Sequence, residues 1–248
     1  MSNISSFRDI PIWKRCSCNC TNVFWVTHLC TPLVRLCTAL FYPAHACFAF
    51  PENQVKAHVI IEPLHDEQID DFTLDMYFQF AKMTSDPFYI SVYTNRDNDF
   101  MLGNRAIMIG TSKYSLSIDN SAIKLGTYYR LTVTRKGNKL RMYFNGKLEK
   151  ELDVNTFKVP TGAFWVLGQE QDSRGGGFNA KQRFIGNICD FQMWNVGLTK
   201  EKAPNFFKNV LAIGDPALYN SPPSYKFQLK DATQLQEEDL VGTNEGEN

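Results

Sequence analysis

Phe72-Thr73-Leu74-Asp75-Met76-Tyr77-Phe78-Gln79-Phe80 is the stretch of sequence that decides the fold. Apolar side chains occupy every second position of this run, and mostly polar side chains lie between them. Because successive side chains of a β-strand point to opposite faces, this period of two predicts a half-buried strand. We therefore expect Phe72, Leu74 and Met76 to lie in a core.

Two turn signals follow a second alternating run at residues 129–134. Lys136-Gly137-Asn138 precedes the apolar-rich run 140–144, and Asn145-Gly146 comes directly after it. Glycine and asparagine tolerate the positive backbone angles of tight β-turns, so both signals predict hairpins. Short strands with a turn about every ten residues are typical of an all-β sandwich or barrel. The other side chains expected in its core are Leu131, Val133, Trp165 and Trp194.

One short helix is expected after these strands. Pro204 suits the first turn of a helix, and Gly214 suits its end. The apolar side chains that would share one face of this helix are Phe207, Val210 and Leu211.

The two ends of the chain differ from its middle. Six of the seven cysteines lie in the first fifth, where an apolar run leads into Ala44-His45-Ala46, a pattern typical of signal-peptidase sites. Pro32 and Arg35 interrupt that run, so a transmembrane helix is not expected. We predict a leader or disordered segment at 1–47, a β-sandwich domain at 48–235 and an acidic flexible tail at 236–248. Pairing of Cys47 with Cys189 stays open.

Charge balance and missing motifs narrow the class of function. The 26 basic side chains equal the 26 acidic ones, so no net field attracts the chain to nucleic acid or an anionic membrane. The sequence contains no GxSxG, HExxH or GxxxxGK[ST] motif, and all four histidines lie in its N-terminal third. A binding protein is therefore expected, and not an enzyme.

Residues 165–182 form the segment richest in polar chemistry. An apolar strand leads to Glu170 and Asp172, which lie among several amides, and Gly175-Gly176-Gly177 allows a tight turn. Calcium takes about six to eight oxygen ligands in adaptable geometry, and this loop supplies oxygens of that kind. The segment does not match the EF-hand pattern, so a polar loop without a ligand is the alternative.

Several motifs of this segment resemble the pentraxin family. They are Leu167-Gly168-Gln169-Glu170-Gln171-Asp172-Ser173, Gly175-Gly176-Gly177-Phe178, Gln182, Phe184-Ile185-Gly186 and Met193-Trp194. Upstream, Arg96-Asp97-Asn98-Asp99 is similar to the family's other calcium-contributing segment. The resemblance implies a two-sheet antiparallel jelly-roll sandwich, two neighbouring calcium ions on one face and often a homo-oligomeric ring of five protomers.

The resemblance also implies a set of calcium ligands. Those of the first ion would be Asp97, Asn98, Glu170, Asp172 and the backbone carbonyl of Gln171. Glu170 and Asp172 would bridge to a second ion, which Gln182 and Asn179 would complete. Asn179 stands where the family usually has an acid. Because the charge of the ligands sets part of the affinity, we expect the second calcium to bind more weakly.

The chain departs from the family at a disulfide. The family's two cysteine positions correspond here to Asp75 and Thr132, which fall at polar positions of their strands and could form a hydrogen bond instead. Such a bond contributes ~1 kcal/mol, against ~2–4 kcal/mol for a disulfide. The missing bridge weakens the argument for an oxidising compartment, whereas the leader favours secretion.

Three functions are compatible with these residues. The leading hypothesis is a secreted, calcium-dependent pattern-recognition protein for phosphate-bearing or carbohydrate ligands, whose oxygens complete the coordination of calcium. The alternative is a laminin-G-like adhesion or scaffolding module with structural calcium or none. A sandwich-fold glycoside hydrolase would use Glu170 and Asp172 as its carboxylates, but the surrounding amides favour a metal site.

Choline is not expected to be a good ligand. In the resembling proteins an aromatic side chain shortly after the Asp-Asn pair forms a wall beside calcium, and quaternary ammonium groups prefer aromatic faces. The same distance from Asp97-Asn98 reaches Gly103 in this chain. Tyr114 is the aromatic residue that could replace that wall.

Overall fold

The computed structural model of the protein describes residues 47–63, 68–94, 97–109, 112–115, 122–155, 158–159, 161–208 and 225–235. Apart from Cys47, the predicted leader lies outside these ranges, as does the predicted acidic tail. Val210, Leu211 and Gly214 of the predicted helix also lie outside them.

Fourteen strands and one helix make up the regular structure of the described ranges. The strands are β1 Cys47–Phe50, β2 His58–Pro63, β3 Phe72–Phe80, β4 Phe88–Thr94, β5 Asp97–Gly103, β6 Ala106–Ile109, β7 Ser112–Ser115, β8 Tyr128–Lys136, β9 Lys139–Phe144, β10 Lys147–Asp153, β11 Phe164–Leu167, β12 Gly186–Trp194, β13 Tyr225–Lys230 and β14 Thr233–Leu235. The helix, α1, spans Ala203–Lys208. Pro204 lies in its first turn, as predicted. No helix among these residues is long and apolar enough to cross a membrane.

The strands form two sheets of seven strands each. Sheet A has the order β10-β9-β8-β3-β12-β1-β14, and sheet B has the order β13-β2-β11-β4-β5-β6-β7. Neighbouring strands pair in antiparallel fashion in both sheets. This arrangement confirms the predicted all-β, two-sheet antiparallel sandwich.

A shared aromatic core lies between the two sheets. Phe78 of β3 contacts Tyr89 of β4 with ring centroids 4.9 Å apart, and Phe72 contacts Phe100 at 5.2 Å. All seven side chains predicted to lie in the core are at most 6% exposed. Burial of such side chains contributes about 1.5–3 kcal/mol each, so the alternating pattern is enough to orient β3 and β8.

The half-buried pattern predicted that the outer face of β3 is exposed to solvent. The first half of that face is buried instead. Thr73 and Asp75 are buried as well. The segment after β12 covers Thr73: Thr73 Oγ1 donates to the carbonyl of Val196 at 2.7 Å, and Leu198 N donates to Thr134 Oγ1 on the neighbouring strand β8 at 2.7 Å. The prediction was wrong here because a distant segment packs on this side of sheet A.

Asp75 and Thr132 form the predicted hydrogen bond between two strands. They are cross-strand partners in β3 and β8, and Thr132 Oγ1 donates to Asp75 Oδ1 at 2.5 Å. Arg130 adds an ion pair, with Nε 3.0 Å from Asp75 Oδ1 and Nη2 2.8 Å from Oδ2. Burial lowers the pKa of Arg130, but the adjacent Asp75 outweighs it and holds that pKa above its ordinary value. We call these three residues the Asp75 cluster.

Cys47 and Cys189 form a disulfide between β1 and β12, where they are cross-strand partners. This settles the pairing that the sequence left open. Both predicted hairpins are confirmed, β8-β9 around Gly137 and β9-β10 around Asn145-Gly146. Gly137, Asn145 and Gly146 have positive φ angles, of 60°, 49° and 78°, as the tight turns require.

Candidate metal centre

Residues 169–183 form a loop whose two ends are closed on each other. The loop leaves β11 at Gly168 and returns to β12, and Phe184 N donates to the carbonyl of Gly168 at 2.9 Å. Gly168 N donates in turn to the carbonyl of Tyr89 in β4 at 2.9 Å. A Cβ atom on Gly168 would lie 2.3 Å from a ring carbon of Phe50, so only glycine fits this closure. The loop is thus fixed to sheet B at its base.

The tip of the 169–183 loop is a tight hairpin. Ser173 and Gly176 exchange backbone hydrogen bonds, and the backbone of Gly177 lies against Asp172. The chain therefore runs outward and then returns beside itself. The candidate ligands on the outgoing limb are Glu170, Gln171 and Asp172, and those on the returning limb are Asn179 and Gln182.

Gln171 anchors the outgoing limb to the sheet. Its side chain is fully buried, and Nε2 lies 3.1 Å from both the carbonyl and Oγ of Ser91 and 3.2 Å from the carbonyl of Phe164. Gly175 N donates to Gln171 Oε1 at 2.8 Å. Because this side chain is occupied, only the backbone carbonyl of Gln171 is suited to bind a metal, which is the atom that the family resemblance assigned.

Two further anchors were not identified from the sequence. Gln169 Nε2 donates to the carbonyls of Val55 and Ala57 at 3.0 and 3.1 Å. Arg174 donates to the carbonyl of Gly162 at 3.0 Å and lies over the ring of Phe164 at 5.1 Å. The alternation of amide and acid along residues 169–172 is a signal that could have indicated inward-pointing amides, since alternate side chains of an extended segment face opposite ways.

The two carboxylates of the outgoing limb differ in exposure. Glu170 is only 3% exposed, whereas Asp172 is exposed. An ionised carboxylate that is buried needs a positive charge or hydrogen-bond donors around it, and calcium would supply such a charge beside Glu170. Asp172 makes no ion pair within the described part of the chain.

Asn179 and Gln182 are held by backbone contacts on the returning limb. Gln182 N donates to the carbonyl of Asn179 at 2.9 Å, and Phe88 N donates to the carbonyl of Gln182 at 2.9 Å. Lys181 N donates to Asn179 Oδ1 at 3.0 Å. The Asn179 side chain is thus neutral and already accepts one hydrogen bond.

Asp97 and Asn98 begin strand β5, close to the same part of sheet B. Asn98 is paired with Tyr93, which is paired with Phe164 of β11, and Gln171 contacts the carbonyl of Phe164. The backbone therefore brings both candidate segments to neighbouring strands. The side chains of Asp97 and Asn98 lie outside the described atoms, so their convergence with Glu170 and Asp172 stays a prediction.

The chemistry of this donor set fits calcium. Every candidate ligand is a carboxylate, an amide oxygen or a backbone carbonyl, which are the hard oxygen ligands that calcium prefers. Among the described side chains, no group of three or more histidines, cysteines, aspartates and glutamates is arranged to hold a metal.

Gly103, to which the resemblance assigns the position of an aromatic wall, has no side chain. Gly103 pairs with Phe88, and a Cβ atom there would lie 3.1 Å from the Phe88 ring. Tyr114 lies in β7, and its hydroxyl accepts a hydrogen bond from Asn155 N at 2.9 Å. Tyr114 is therefore held at the edge of sheet B.

Phe178 packs the tip of the returning limb on β2. Its ring centroid lies 4.7 Å from that of His58. Burial lowers the pKa of His58 below its ordinary value of 6.5, so the imidazole that contacts the loop is neutral at pH 7.

Known proteins resemble this chain along most of its length. It is 26% identical to C-reactive protein of Mesocricetus auratus over 183 residues, which cover 70% of this chain and 79% of that protein. It is 30% identical to mucosal pentraxin of Mus musculus over 172 residues, 65% of this chain and 76% of the relative. The native heptameric SAP-like pentraxin from Limulus polyphemus shares the fold, with a TM-score of 0.62 and 21% identity over 79% of this chain and 97% of that one.

A comparison with protein families covers most of the described chain. The model of the Pentaxin family matches residues 46–215, more than half of the chain. This range contains the two sheets from β1 to β12, the candidate loop and α1. The chain belongs to the pentaxin family.

Proposed function

We propose that the protein is a calcium-dependent recognition protein, and not an enzyme, which binds phosphate-bearing or carbohydrate ligands through calcium held on the outer side of sheet B. The observation that carries this proposal is the anchored outgoing limb. Gln171 is hydrogen-bonded to Ser91 of β4 and Phe164 of β11, and Glu170 and Asp172 flank it in the sequence. Strand β4 also pairs with β5, which begins with Asp97-Asn98.

Two calcium ions are proposed, the second weaker than the first. Asp97, Asn98, Glu170, Asp172 and the Gln171 carbonyl would hold the first, and Glu170, Asp172, Asn179 and Gln182 the second. Calcium supplies the positive charge to which an anionic ligand oxygen binds. The chain's own contribution is to orient the oxygen donors. Gln169 and Gln171 do this by donating hydrogen bonds from their side-chain amides to backbone carbonyls.

Secretion and self-association are part of the same proposal. The Cys47–Cys189 disulfide supports an extracellular location, because disulfides persist mainly in oxidising compartments. The Limulus polyphemus pentraxin is described as heptameric, which supports a homo-oligomer here as well. A ring of five protomers stays a prediction that sedimentation equilibrium would check.

A competition assay at fixed calcium tests the function. We expect phosphocholine to bind no better than phosphoethanolamine or a simple phosphate monoester, because Gly103 provides no aromatic face for the choline group. Chelator should abolish binding of all three ligands, and Asp172→Asn should weaken their binding. The matched control is Asp153→Asn on the exposed strand β10, which should leave their binding unchanged. A clear preference for phosphocholine would contradict the choline prediction, and binding that survives chelator would contradict the role of calcium.

A further inference from the structure

An open pocket of about 600 Å³ lies beside the 169–183 loop. The residues that line it are Ser85, Asp86, Arg105, Ala106, Lys113 and Ser115. They come from three places in the chain: the β3-β4 connection, the turn between β5 and β6 with the first residue of β6, and the edge strand β7.

Backbone contacts hold these three segments together. Asn104 N donates to the carbonyl of Pro87 at 3.0 Å, which fixes the turn that carries Arg105 to the start of β4. Ala106 and Ser115 are cross-strand partners, so β7 brings Lys113 to the same sheet edge. The pocket is therefore formed by the folded sheet and not by one loop.

The pocket shares a wall with the candidate metal centre. Asp86 N donates to the carbonyl of Lys181 at 3.1 Å, and Ser85 Oγ donates to the same carbonyl at 3.2 Å. Gln182, a candidate calcium ligand, is the next residue and accepts a hydrogen bond from Phe88 N. A ligand bound at the calcium loop would thus lie next to this pocket.

Positive charge dominates the lining. Arg105 and Lys113 are exposed, and within the described ranges neither side chain forms an ion pair or a hydrogen bond. Asp86 is the one acid among the lining residues. Several other surface lysines are paired with acids, as in Lys82–Glu52, Lys136–Asp71 and Lys139–Asp153. In a chain with no net charge, two unpaired cations in one concave surface indicate an anion site.

We propose that this pocket is a second anion subsite and that the protein prefers ligands carrying two phosphate groups on a short backbone. The proposal rests on the calcium-dependent function above: one phosphate binds at calcium, and the other binds at Arg105 and Lys113. A guanidinium presents a fork of donors that matches phosphate oxygens, and a lysine ammonium adds a point charge. The hydroxyl of Ser115 adds a further donor.

Calorimetry at fixed calcium tests this with the full chain. The probes are bisphosphates of ethanediol, propanediol and butanediol and the matching monophosphates. We expect the best-fitting bisphosphate to bind about tenfold tighter than its monophosphate. The added affinity comes from the charge-assisted hydrogen bonds of the second phosphate to Arg105 and Lys113. The Arg105→Gln/Lys113→Gln variant should lose this advantage and keep monophosphate affinity within about twofold. Lys147→Gln/Lys200→Gln removes two charges from exposed positions in or beside sheet A and should change neither affinity.

Each outcome separates the pocket from the calcium site. Calcium-dependent monophosphate binding with no bisphosphate advantage would overturn the second subsite and leave the proposed function intact. Bisphosphate binding that persists in chelator and is lost in Arg105→Gln/Lys113→Gln would support the anion pocket and contradict the role of calcium. Binding of no compound would overturn both. Phosphatidylcholine vesicles that contain phosphatidylinositol 4-phosphate form a further arm, in which binding tighter than to the soluble bisphosphates identifies a membrane source of the ligand.

Discussion

The Asp75 cluster and the 169–183 loop are both built from buried polar groups, one on each sheet, but they distribute charge differently. In the Asp75 cluster the carboxylate is met inside the chain by Arg130, and the two side chains are only 8% and 11% exposed. In the loop the buried amides of Gln169 and Gln171 bind backbone, while Asp172 is exposed and makes no described ion pair. A charge balanced within the chain stabilises the fold, whereas a charge held in position by neutral anchors is available to a ligand.

Removing Asp75 should have the largest effect on stability. Asp75→Ala leaves the Arg130 guanidinium buried without this ion pair, and we expect the free energy of unfolding to fall by about 3–5 kcal/mol. Urea unfolding followed by circular dichroism measures this. Thr132→Val removes one hydrogen bond and should cost only about 1 kcal/mol. Equal, small losses in both variants would show that the ion pair does not stabilise sheet A.

Removing the Gln171 anchor should mainly affect the ligand site. Gln171→Met keeps the side-chain volume but loses the contacts to Ser91, Phe164 and Gly175. We expect unfolding to become easier by about 1–2 kcal/mol and calcium affinity to fall about tenfold. Gln192→Met in β12 is the matched control. Unchanged calcium affinity in Gln171→Met would break the link between the anchor and the metal centre.

A smaller effect is expected from His58, which packs on the tip of the loop. Because its pKa is lower in the folded protein than in the unfolded chain, the unfolded state takes up a proton first as the pH falls. Stability should therefore be unaffected above pH 6.5 and should decline as the pH falls below that ordinary value. Unfolding in chelator across this window, compared with His58→Gln, isolates the contribution. If the stability of His58→Gln has the same pH dependence as that of the native chain, His58 does not make this contribution.

Local patterns in the sequence predicted the strands, and the structure shows why they were sufficient there. Alternation fixes the two faces of β3, and the turn residues Gly137 and Asn145-Gly146 fix the ends of β8, β9 and β10. Asp75 and Thr132 were expected to meet because they stand at the cysteine positions of the resembling family's disulfide and lie at polar positions of their strands. Arg130 was missed, although it lies two residues before Thr132 and hence on the same face of β8.

Contacts distant in sequence could not be predicted in this way. Thr73 donates to the carbonyl of Val196, which is 123 residues away in the sequence. The local pattern of β3 does not indicate that so distant a segment covers this side chain. The pairing of Cys47 with Cys189 depends likewise on β1 lying beside β12. At the candidate metal centre, the acids were proposed from the family resemblance, and their role as calcium ligands stays a prediction. The anchoring roles of Gln169 and Gln171 were missed because they depend on contacts with backbone carbonyls, which leave no mark in the sequence.

A calcium titration by calorimetry, with reversal by chelator, tests the central claim most directly. The expected result is one tight step followed by a weaker second step, because Asp97, Glu170 and Asp172 supply three negative charges for two divalent ions and Asn179 supplies none. Asn179→Asp should strengthen the second step and leave the first unchanged. Absence of any calcium-dependent heat would contradict the metal centre itself, and two equally tight steps would contradict the assignment of Asn179 as its weak ligand.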